Sequence, residues 1–204
     1  IIEKNGFTAI LLPGPPIEMT AMFEEYVIPY LRSKTNDVLY SYTIKECGIG
    51  ESLLETMLLD IIDNQTNPTV ATYAKTSCSE VRITAKADSF EKAQNLVKPI
   101  AEEVIKRLGD NVYSTDEKEN IEDALVRLLR KNNLTISVAE SCTGGLTCSK
   151  IVNVGGASEV FKYGFITYAN EAKMKLLGVS KDTLEKYTAV SEKTAREMAC
   201  GAIK

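Results

Sequence analysis

The chain has 204 residues, of which 44% are hydrophobic and 25% charged, and it carries a formal net charge of −4 at neutral pH. This composition is typical of a globular protein with a buried core, and the acidic balance argues against a nucleic-acid surface as its main function. No apolar run approaches the length of a membrane span, so we expect no transmembrane helix and no membrane partner.

The residue types present limit the chemistry that this chain can perform. It contains no histidine, which excludes a Ser-His-Asp triad, a Cys-His pair and any histidine-ligated metal site within the chain. Acid–base chemistry must therefore use Lys, Tyr, Asp, Glu or Cys. The five cysteines show no CxxC pair, which is typical of free thiols in a reducing cytoplasm rather than of a disulfide framework or a zinc site.

The first stretch, residues 1–34, is predicted to be the end of an α/β domain. The apolar run at 7–12 predicts a buried strand, and Pro13–Pro16 predict a turn. Apolar residues then recur at intervals of three and four, which predicts a helix to about Leu31. One strand and one helix cannot hold a core. Because the chain also lacks an initial Met and stops at Lys204 within a helical run, we expect it to be a fragment.

Residues 35–115 are predicted to form a separate small α+β unit. Alternation of apolar and polar residues predicts strands at 38–44, 69–74 and 80–85. Helical periodicity predicts helices over 51–62 and 89–108. The last two strands should form a hairpin around Ser77-Cys78-Ser79, and Pro99 is expected to kink the second helix. The loop Gly48-Ile49-Gly50 lacks the basic neighbours of a nucleic-acid clamp, so we expect a structural role for it.

Residues 114–119 are predicted to form a polar linker, and residues 116–204 are predicted to form a layered α/β domain. Asn120 can cap a helix that ends near 131–133, and the apolar run 134–139 predicts a strand. Ligands of such domains lie at the carboxyl ends of the strands, so the residues after 139 are the candidates for a site.

The stretch Ala139 to Gly145 carries the strongest local signal for such a site. The order of strand, tight turn and helix start places a hydroxyl, a thiol and free backbone N–H groups at the mouth of a helix. The N–H groups of Cys142 to Gly145 could stabilise an oxyanion or hold a phosphate. The structural alternative is that Thr143 only caps the helix.

A second strand, predicted at 163–168, supplies possible partners for Ser141. Tyr168 and Lys173 lie just past its end, so the three side chains converge if the two strands are neighbours. A lysine can act as the base where burial favours its uncharged form, and the tyrosine can pass the proton or orient the serine. Cys142 is the alternative nucleophile, since a thiol at a helix start is activated.

A series of ordered motifs runs through the same region. The series consists of Ala139–Gly145, Gly156–Ser158, Tyr168–Lys173, Leu177–Val179, Ala189–Ser191 and Met198–Ala199. It closely resembles the C-terminal, nicotinamide-nucleotide amidohydrolase domain of the CinA family of competence/damage-inducible proteins. The segment Leu12–Met19 resembles the end of the family's N-terminal molybdopterin-binding-like domain, and residues 35–115 are similar to its KH-like domain.

The resemblance implies three domains of mixed α/β and α+β class. Residues 1–34 would be the C-terminal remnant of the molybdopterin-binding-like α/β domain. Residues 35–115 would be the KH-like α+β domain. Residues 116–204 would be the first part of a layered α/β amidohydrolase domain, truncated before the family's later Gly-rich loop that helps to complete the pocket.

The resemblance also implies an activity, the conversion of nicotinamide mononucleotide to nicotinate mononucleotide and ammonia in pyridine-nucleotide recycling. Ser141 matches the nucleophile of this Ser/Lys hydrolase, Lys173 the base and Tyr168 a helper. The expected substrate contacts are Thr143, Gly144, Gly145 and Ser158. The implied enzyme needs no metal or other cofactor, and the implied assembly is a homodimer.

Other functions stay open. The family's N-terminal domain is associated with metal-dependent ADP-ribose pyrophosphatase activity, but most of that domain is missing here, so we expect neither the divalent metal nor this activity in the chain. Nucleotide binding without turnover and a competence-related, non-enzymatic role are further alternatives. Gly155-Gly156 replace the Pro often found before Gly-Ala-Ser, which should loosen that loop without removing the chemistry.

Overall fold

The computed structural model describes residues 1–75 and 78–203 of the chain. The chain divides into two compact units, Ile1–Thr115 and Asp116–Lys204. Across the described part of the chain, every helix is too short or too polar to cross a bilayer.

The first unit begins with a small hairpin followed by a helical segment. Strands β1 (Ile2–Lys4) and β2 (Phe7–Ala9) pair antiparallel. Helix α1 (Pro16–Met22) continues through a π-helical turn (Phe23–Val27) into helix α2 (Ile28–Ser33). Pro16 occupies the first helical turn of α1, where its missing N–H costs nothing.

The prediction of a buried strand at 7–12 is wrong in its extent and in its burial. The strand is limited to Phe7–Ala9, and all three residues are exposed. An apolar strand is buried only where a second layer covers it. The β1–β2 sheet has two strands, and neither face of β2 is covered in the described structure.

The remainder of this unit is an antiparallel sheet with two helices. Its elements are β3 (Val38–Glu46), α3 (Glu51–Asp63), β4 (Thr69–Ala74), β5 (Ser79–Ala87), α4 (Phe90–Leu108) and β6 (Val112–Ser114). The four strands lie in the order β4-β5-β3-β6. Strands β4 and β5 pair antiparallel, as predicted. Part of the predicted turn, including Ser77, lies outside the described residues.

The core of this unit lies between the sheet and its helices. Leu54 and Leu58 of α3 are fully buried, as is Val104 of α4. They pack against Val81 and Ile83 of β5. The hydroxyl of Ser89 accepts a hydrogen bond from the N–H of Lys92 and so caps α4, which continues through Pro99 to Leu108.

The second unit alternates helices with two parallel strands. Its elements are α5 (Ile121–Lys131), β7 (Ile136–Glu140), α6 (Leu146–Val152), α7 (Ala157–Val160), β8 (Phe161–Ile166), α8 (Asn170–Leu177), α9 (Lys181–Tyr187) and α10 (Glu192–Ala202). Asn120 and Asp123 form a capping box at the start of α5. Strands β7 and β8 are neighbours and run parallel.

Helices cover both faces of this two-stranded sheet. Val138 packs with the buried residues of α5, α6 and α7, whereas the next residue, Ala139, packs with those of α8, α9 and α10. Successive residues of a strand point to opposite faces, so the alternation produces the layered α/β arrangement. The parallel pairing brings the carboxyl ends of β7 and β8 to the same edge, where Glu140 lies opposite Ile166.

Candidate active site

The ends of the two parallel strands are fastened to each other beside Ser141. The N–H of Thr167, the first residue after β8, donates to the carbonyl of Glu140 at 2.8 Å. Its hydroxyl donates to the same carbonyl oxygen at 3.3 Å. Thr167 is fully buried. These bonds fix the position of Ser141, because Ser141 directly follows Glu140.

Lys173 reaches this edge from α8. Its side chain is 0% exposed. Its Nζ donates to Ser141 Oγ at 3.1 Å, to the carbonyl oxygen of Thr167 at 2.7 Å and to that of Tyr168 at 2.9 Å. The three hydrogen bonds therefore use all three positions around the nitrogen, and one of these positions is directed at the serine hydroxyl.

Tyr168 takes part through its main chain. Its carbonyl oxygen accepts from Lys173, while its side chain is 77% exposed. The structure thus places Tyr168 next to the Ser141–Lys173 pair but turns its ring to solvent. The predicted role of its hydroxyl as a helper stays a prediction.

The carboxylate of Glu140 shapes the turn that follows Ser141. It accepts hydrogen bonds from the N–H groups of Gly145 at 3.1 Å, Thr147 at 3.1 Å and Cys148 at 2.8 Å. Burial acts to raise the pKa of Glu140, but bonds from the Cys148 and Thr143 side chains and from backbone N–H groups outweigh it and lower the pKa to about 2. A buried, ionised carboxylate therefore holds the start of α6.

This arrangement corrects the predicted anion-binding loop. Of the four N–H groups from Cys142 to Gly145, that of Gly145 is bonded to Glu140 and that of Gly144 to the carbonyl of Ser141. Within the described structure, the N–H groups of Cys142 and Thr143 remain available. The chain's own carboxylate occupies the mouth of the helix, because an acidic side chain one residue before Ser141 is close enough to reach it.

The alternative prediction that Thr143 is the N-cap residue of α6 is wrong. Gly145 is the N-cap residue, with φ of 99°, and the N–H groups of the first turn are bonded by the Glu140 carboxylate instead of by an N-cap side chain. A Cβ at this position would lie 2.8 Å from Cδ1 of Ile166. The turn therefore needs glycine both for its left-handed backbone and for its close approach to β8.

A cavity of about 710 Å³ opens beside the serine. Ser141 and Cys142 form part of its wall, and residues around α10, including Ser191, Ala195 and Met198, form another part. The volume lies within the range of roughly 300–1,000 Å³ that ligand pockets span. Small apolar side chains provide most of the surface, and the serine hydroxyls provide polar contacts.

The other predicted contacts divide into two groups. Thr143 and Gly144 are exposed in the turn after Ser141. Ser158 lies on α7, which leads into the amino end of β8. Because Ser141 follows the carboxyl end of β7, the structure places Ser158 at the opposite edge of the sheet and does not bring the two residues together.

The two cysteines of the turn have different surroundings. Cys142 is exposed and lines the cavity. Cys148 is half-buried, and burial, together with its hydrogen bond to Glu140, raises its pKa to about 11. In the described part of the chain, no group of three or more Cys, Asp or Glu residues is placed to hold a metal ion.

Sequence reasoning did not assign the site roles of Glu140 and Thr167. Glu140 had a detectable signal, since it is the one charged residue at the end of an apolar run, and a charge placed there needs a local partner. The roles of Thr167 and Tyr168 as acceptors for Lys173 depend on carbonyl oxygens, which every residue has. No side-chain pattern could have indicated them.

Comparison with known proteins places both units in one family. The family model described as the CinA C-terminal domain matches residues 118–204. The model described as the damage-inducible protein CinA KH domain matches residues 41–114. The chain belongs to the CinA family, and it combines a KH-like domain with a C-terminal CinA domain.

Curated relatives agree along the whole chain. A putative competence-damage inducible protein from Clostridium beijerinckii is 54% identical over 204 residues, which are 100% of this chain and 50% of the relative. A CinA-like protein from Kosmotoga olearia is 53% identical over the same length, 49% of that protein. The chain thus spans about half the length of the curated relatives it matches.

A solved structure from Escherichia coli is similar to part of the chain. It is a competence-damaged protein (CinA) superfamily protein with 46% sequence identity and a TM-score of 0.41. The likeness covers 42% of this chain and 49% of that one.

Proposed function

We propose that the second unit carries the nucleophile and the base of an amidohydrolase that converts nicotinamide mononucleotide to nicotinate mononucleotide and ammonia. The observation that carries this proposal is the 3.1 Å contact between Ser141 Oγ and the fully buried Nζ of Lys173. The choice of substrate rests on the resemblance of the motifs around these residues to the nicotinamide-nucleotide amidohydrolase domain.

The proposed chemistry requires the uncharged amine of Lys173, and the hydrogen-bond pattern accommodates it. An uncharged amine has two N–H donors and one lone pair. The carbonyl oxygens of Thr167 and Tyr168 can only accept, so they take the two donors. The lone pair is then directed at Ser141, whose hydroxyl can donate to it. Two main-chain groups thus orient the base without needing a histidine or a carboxylate.

The reaction would proceed in two halves. Ser141 Oγ attacks the carboxamide carbon while its proton passes to Lys173. The C–N bond breaks, ammonia leaves with that proton, and an acyl-serine ester remains. Water then attacks the ester and passes a proton to Lys173, which returns it to Ser141. The carboxylate product is released and both side chains recover their starting states.

The oxyanion formed in each half needs donors close to Ser141. The N–H groups of Cys142 and Thr143 are the available ones in the described turn, since those of Gly144 and Gly145 are bonded within the chain. Donors of this kind contribute about 10²–10³-fold to acyl-transfer rates. Glu140 would support this function indirectly, by holding the turn rather than by contacting the substrate.

The nucleophile can be identified by comparing two neighbouring side chains in the full-length parent protein. Ammonia release from nicotinamide mononucleotide should fall roughly 1,000-fold or more in Ser141→Ala. It should fall less than about tenfold in Cys142→Ala, whose side chain lines the same cavity. The reverse ranking would identify Cys142 as the nucleophile. If calorimetry detects binding of the nucleotide to the parent protein but no ammonia is released, the protein is a nucleotide-binding protein and the proposed hydrolase activity is wrong.

A further inference from the structure

Two cysteines of the first unit lie directly beyond the paired ends of the neighbouring strands β3 and β5. Strands β3 and β5 pair antiparallel without interruption from Val38 opposite Ala87 to Glu46 opposite Ser79. The residue after β3 is Cys47, and the residue before β5 is Cys78. The two thiols therefore occupy the position of the next cross-strand pair. Both are free and half-buried.

The backbone of Cys47 shows which type of pair this is. Its N–H donates to the carbonyl of Asn111 at 3.0 Å, and its carbonyl accepts from Nδ2 of Asn111 at 2.9 Å. Both groups are directed toward the segment before β6 and away from β5. Opposed residues of this type form the non-hydrogen-bonded pair of an antiparallel ladder, with Cα atoms about 4.5 Å apart. A disulfide needs Cα atoms about 4.4–6.8 Å apart.

Tyr113 marks the face of the sheet that holds the thiol of Cys78, and directly opposed residues of an antiparallel pair point to the same face. Its hydroxyl donates to Sγ of Cys78 at 3.7 Å. Tyr113 belongs to β6, and β3 lies between β6 and β5, so the phenol side chain must cross β3 near Cys47 to reach Cys78. Burial, followed by the charges of Glu46 and Cys78, raises the pKa of Cys47, as expected for groups that lie close together.

We propose that Cys47 and Cys78 are a reversible modification site, at which a low-molecular-weight disulfide of the glutathione type produces a cross-strand disulfide. The thiolate of one cysteine attacks a sulfur of the small disulfide, which forms a mixed disulfide and releases one small thiolate. The second cysteine then attacks the protein sulfur of the mixed disulfide and releases the other small thiolate. Two electrons pass to the small disulfide, and the two protons end on the released thiols.

The new bond would constrain a defined part of the sheet. It closes a loop that contains α3 and β4, and it joins β3 to the hairpin of β4 and β5. It also lies next to Gly48, the first residue of the turn into α3. Closing such a loop lowers the entropy of the unfolded chain, so the oxidised protein should be more resistant to heat.

The test uses the chain of 204 residues and oxidised glutathione at pH 8, followed by acid quenching, alkylation and peptide mass spectrometry. A Cys142→Ser/Cys200→Ser double variant removes the two exposed thiols. In this background and in the unmodified chain, we expect a peptide pair joined through Cys47 and Cys78, two hydrogens lighter than its reduced form. Cys47→Ser should instead accumulate the mixed disulfide on Cys78.

Thermal unfolding provides a second readout. Oxidation should raise Tm of the double variant by about 5 °C, and dithiothreitol should reverse the change. The same treatment should leave Tm of the variant that also carries Cys78→Ser unchanged. Separate glutathione adducts on Cys47 and Cys78 that never exchange into a joined peptide would overturn the proposal, as would a joined peptide that pairs either residue with Cys148.

Discussion

At the residue scale, the side chain of Glu140 connects the stability of the second unit to its candidate site. It is buried and ionised, and its three backbone hydrogen bonds hold the turn after Ser141. Its pKa falls from 4.5 to about 2 on folding. The ionised form therefore stabilises the fold fully above about pH 4.5, and this stabilisation is lost as the pH falls from there toward 2.

The first prediction is that Glu140→Gln removes the part of the pH dependence of the unfolding free energy that comes from the Glu140 carboxyl group. At pH 7 the variant should lose roughly 3 kcal/mol, the free energy that corresponds to the change in pKa from 4.5 to about 2. The difference from the unmodified chain should shrink below about pH 4.5. Urea unfolding between pH 3 and 7 measures it, with the exposed Glu171→Gln as control. A difference that is constant with pH would refute the ionised role.

The second prediction concerns the thiol of Cys148. Because burial and Glu140 raise its pKa to about 11, very little thiolate is present at pH 8. Iodoacetamide should therefore modify the exposed Cys142 and Cys200 at least about tenfold faster than Cys148. A time course of labelled peptides gives the three rates. Equal rates at Cys148 and Cys142 would show that the thiol is not held against Glu140.

At the element scale, the packing of α6 on β8 depends on Gly164. A Cβ at this position would lie 2.7 Å from Sγ of Cys148 and 3.1 Å from Cζ of Phe161. Contacts under 3 Å are too close, so the Cys148 side chain must shift or α6 and β8 must move apart. Since α6 follows the turn that presents Ser141, their separation should disturb the site as well as the core.

The third prediction follows from this contact. Gly164→Ala should destabilise the chain by about 1–3 kcal/mol, the usual effect of overpacking. Gly155→Ala is the matched control, because nothing lies within 4 Å of its added Cβ. Cys148→Ala combined with Gly164→Ala should recover part of the loss. Denaturant unfolding of the unmodified chain and of these three variants measures the changes in stability. Equal stability of Gly164→Ala and Gly155→Ala would contradict the close packing of α6 on β8 at Gly164.

Most elements could be predicted from the sequence because their patterns are long. Helices α3 and α4 have repeated apolar positions over several turns, and β3 and β5 alternate along most of their lengths. The convergence of Ser141 and Lys173 needed a further condition, that β7 and β8 be neighbours. The register of these strands satisfies it, with Glu140 opposite Ile166.

What could not be predicted depends on contacts that leave no periodic pattern. The exposure of β2 depends on the absence of a covering layer in the described structure, which an apolar run of six residues does not reveal. The four-residue helix α7 is too short for any periodicity. The N–H of Gly145 could have bound an anion or a side chain of the protein. No pattern in the sequence indicates that Glu140 binds it.

At the scale of the whole molecule, the net charge leads us to expect weak nucleic-acid binding by this chain despite its KH-like domain. The net charge of −4 repels a phosphate backbone, and strong non-specific binding needs several Lys or Arg contacts. The fourth prediction is that the chain does not bind labelled single-stranded RNA or DNA with a Kd below about 10 μM at 150 mM salt. Fluorescence anisotropy at 50, 150 and 200 mM salt measures this. Tight binding that weakens steeply with salt would favour the competence-related alternative.

The proposed role of Lys173 as the base for Ser141 can be measured in the full-length parent protein. The measurement is ammonia release from nicotinamide mononucleotide by Lys173→Met, with Lys175→Met as control because Lys175 is an exposed lysine on the same helix. We predict a loss of roughly 1,000-fold or more in kcat/KM for Lys173→Met and a change below about twofold for Lys175→Met. Undiminished activity of a folded Lys173→Met protein would show that another residue is the base.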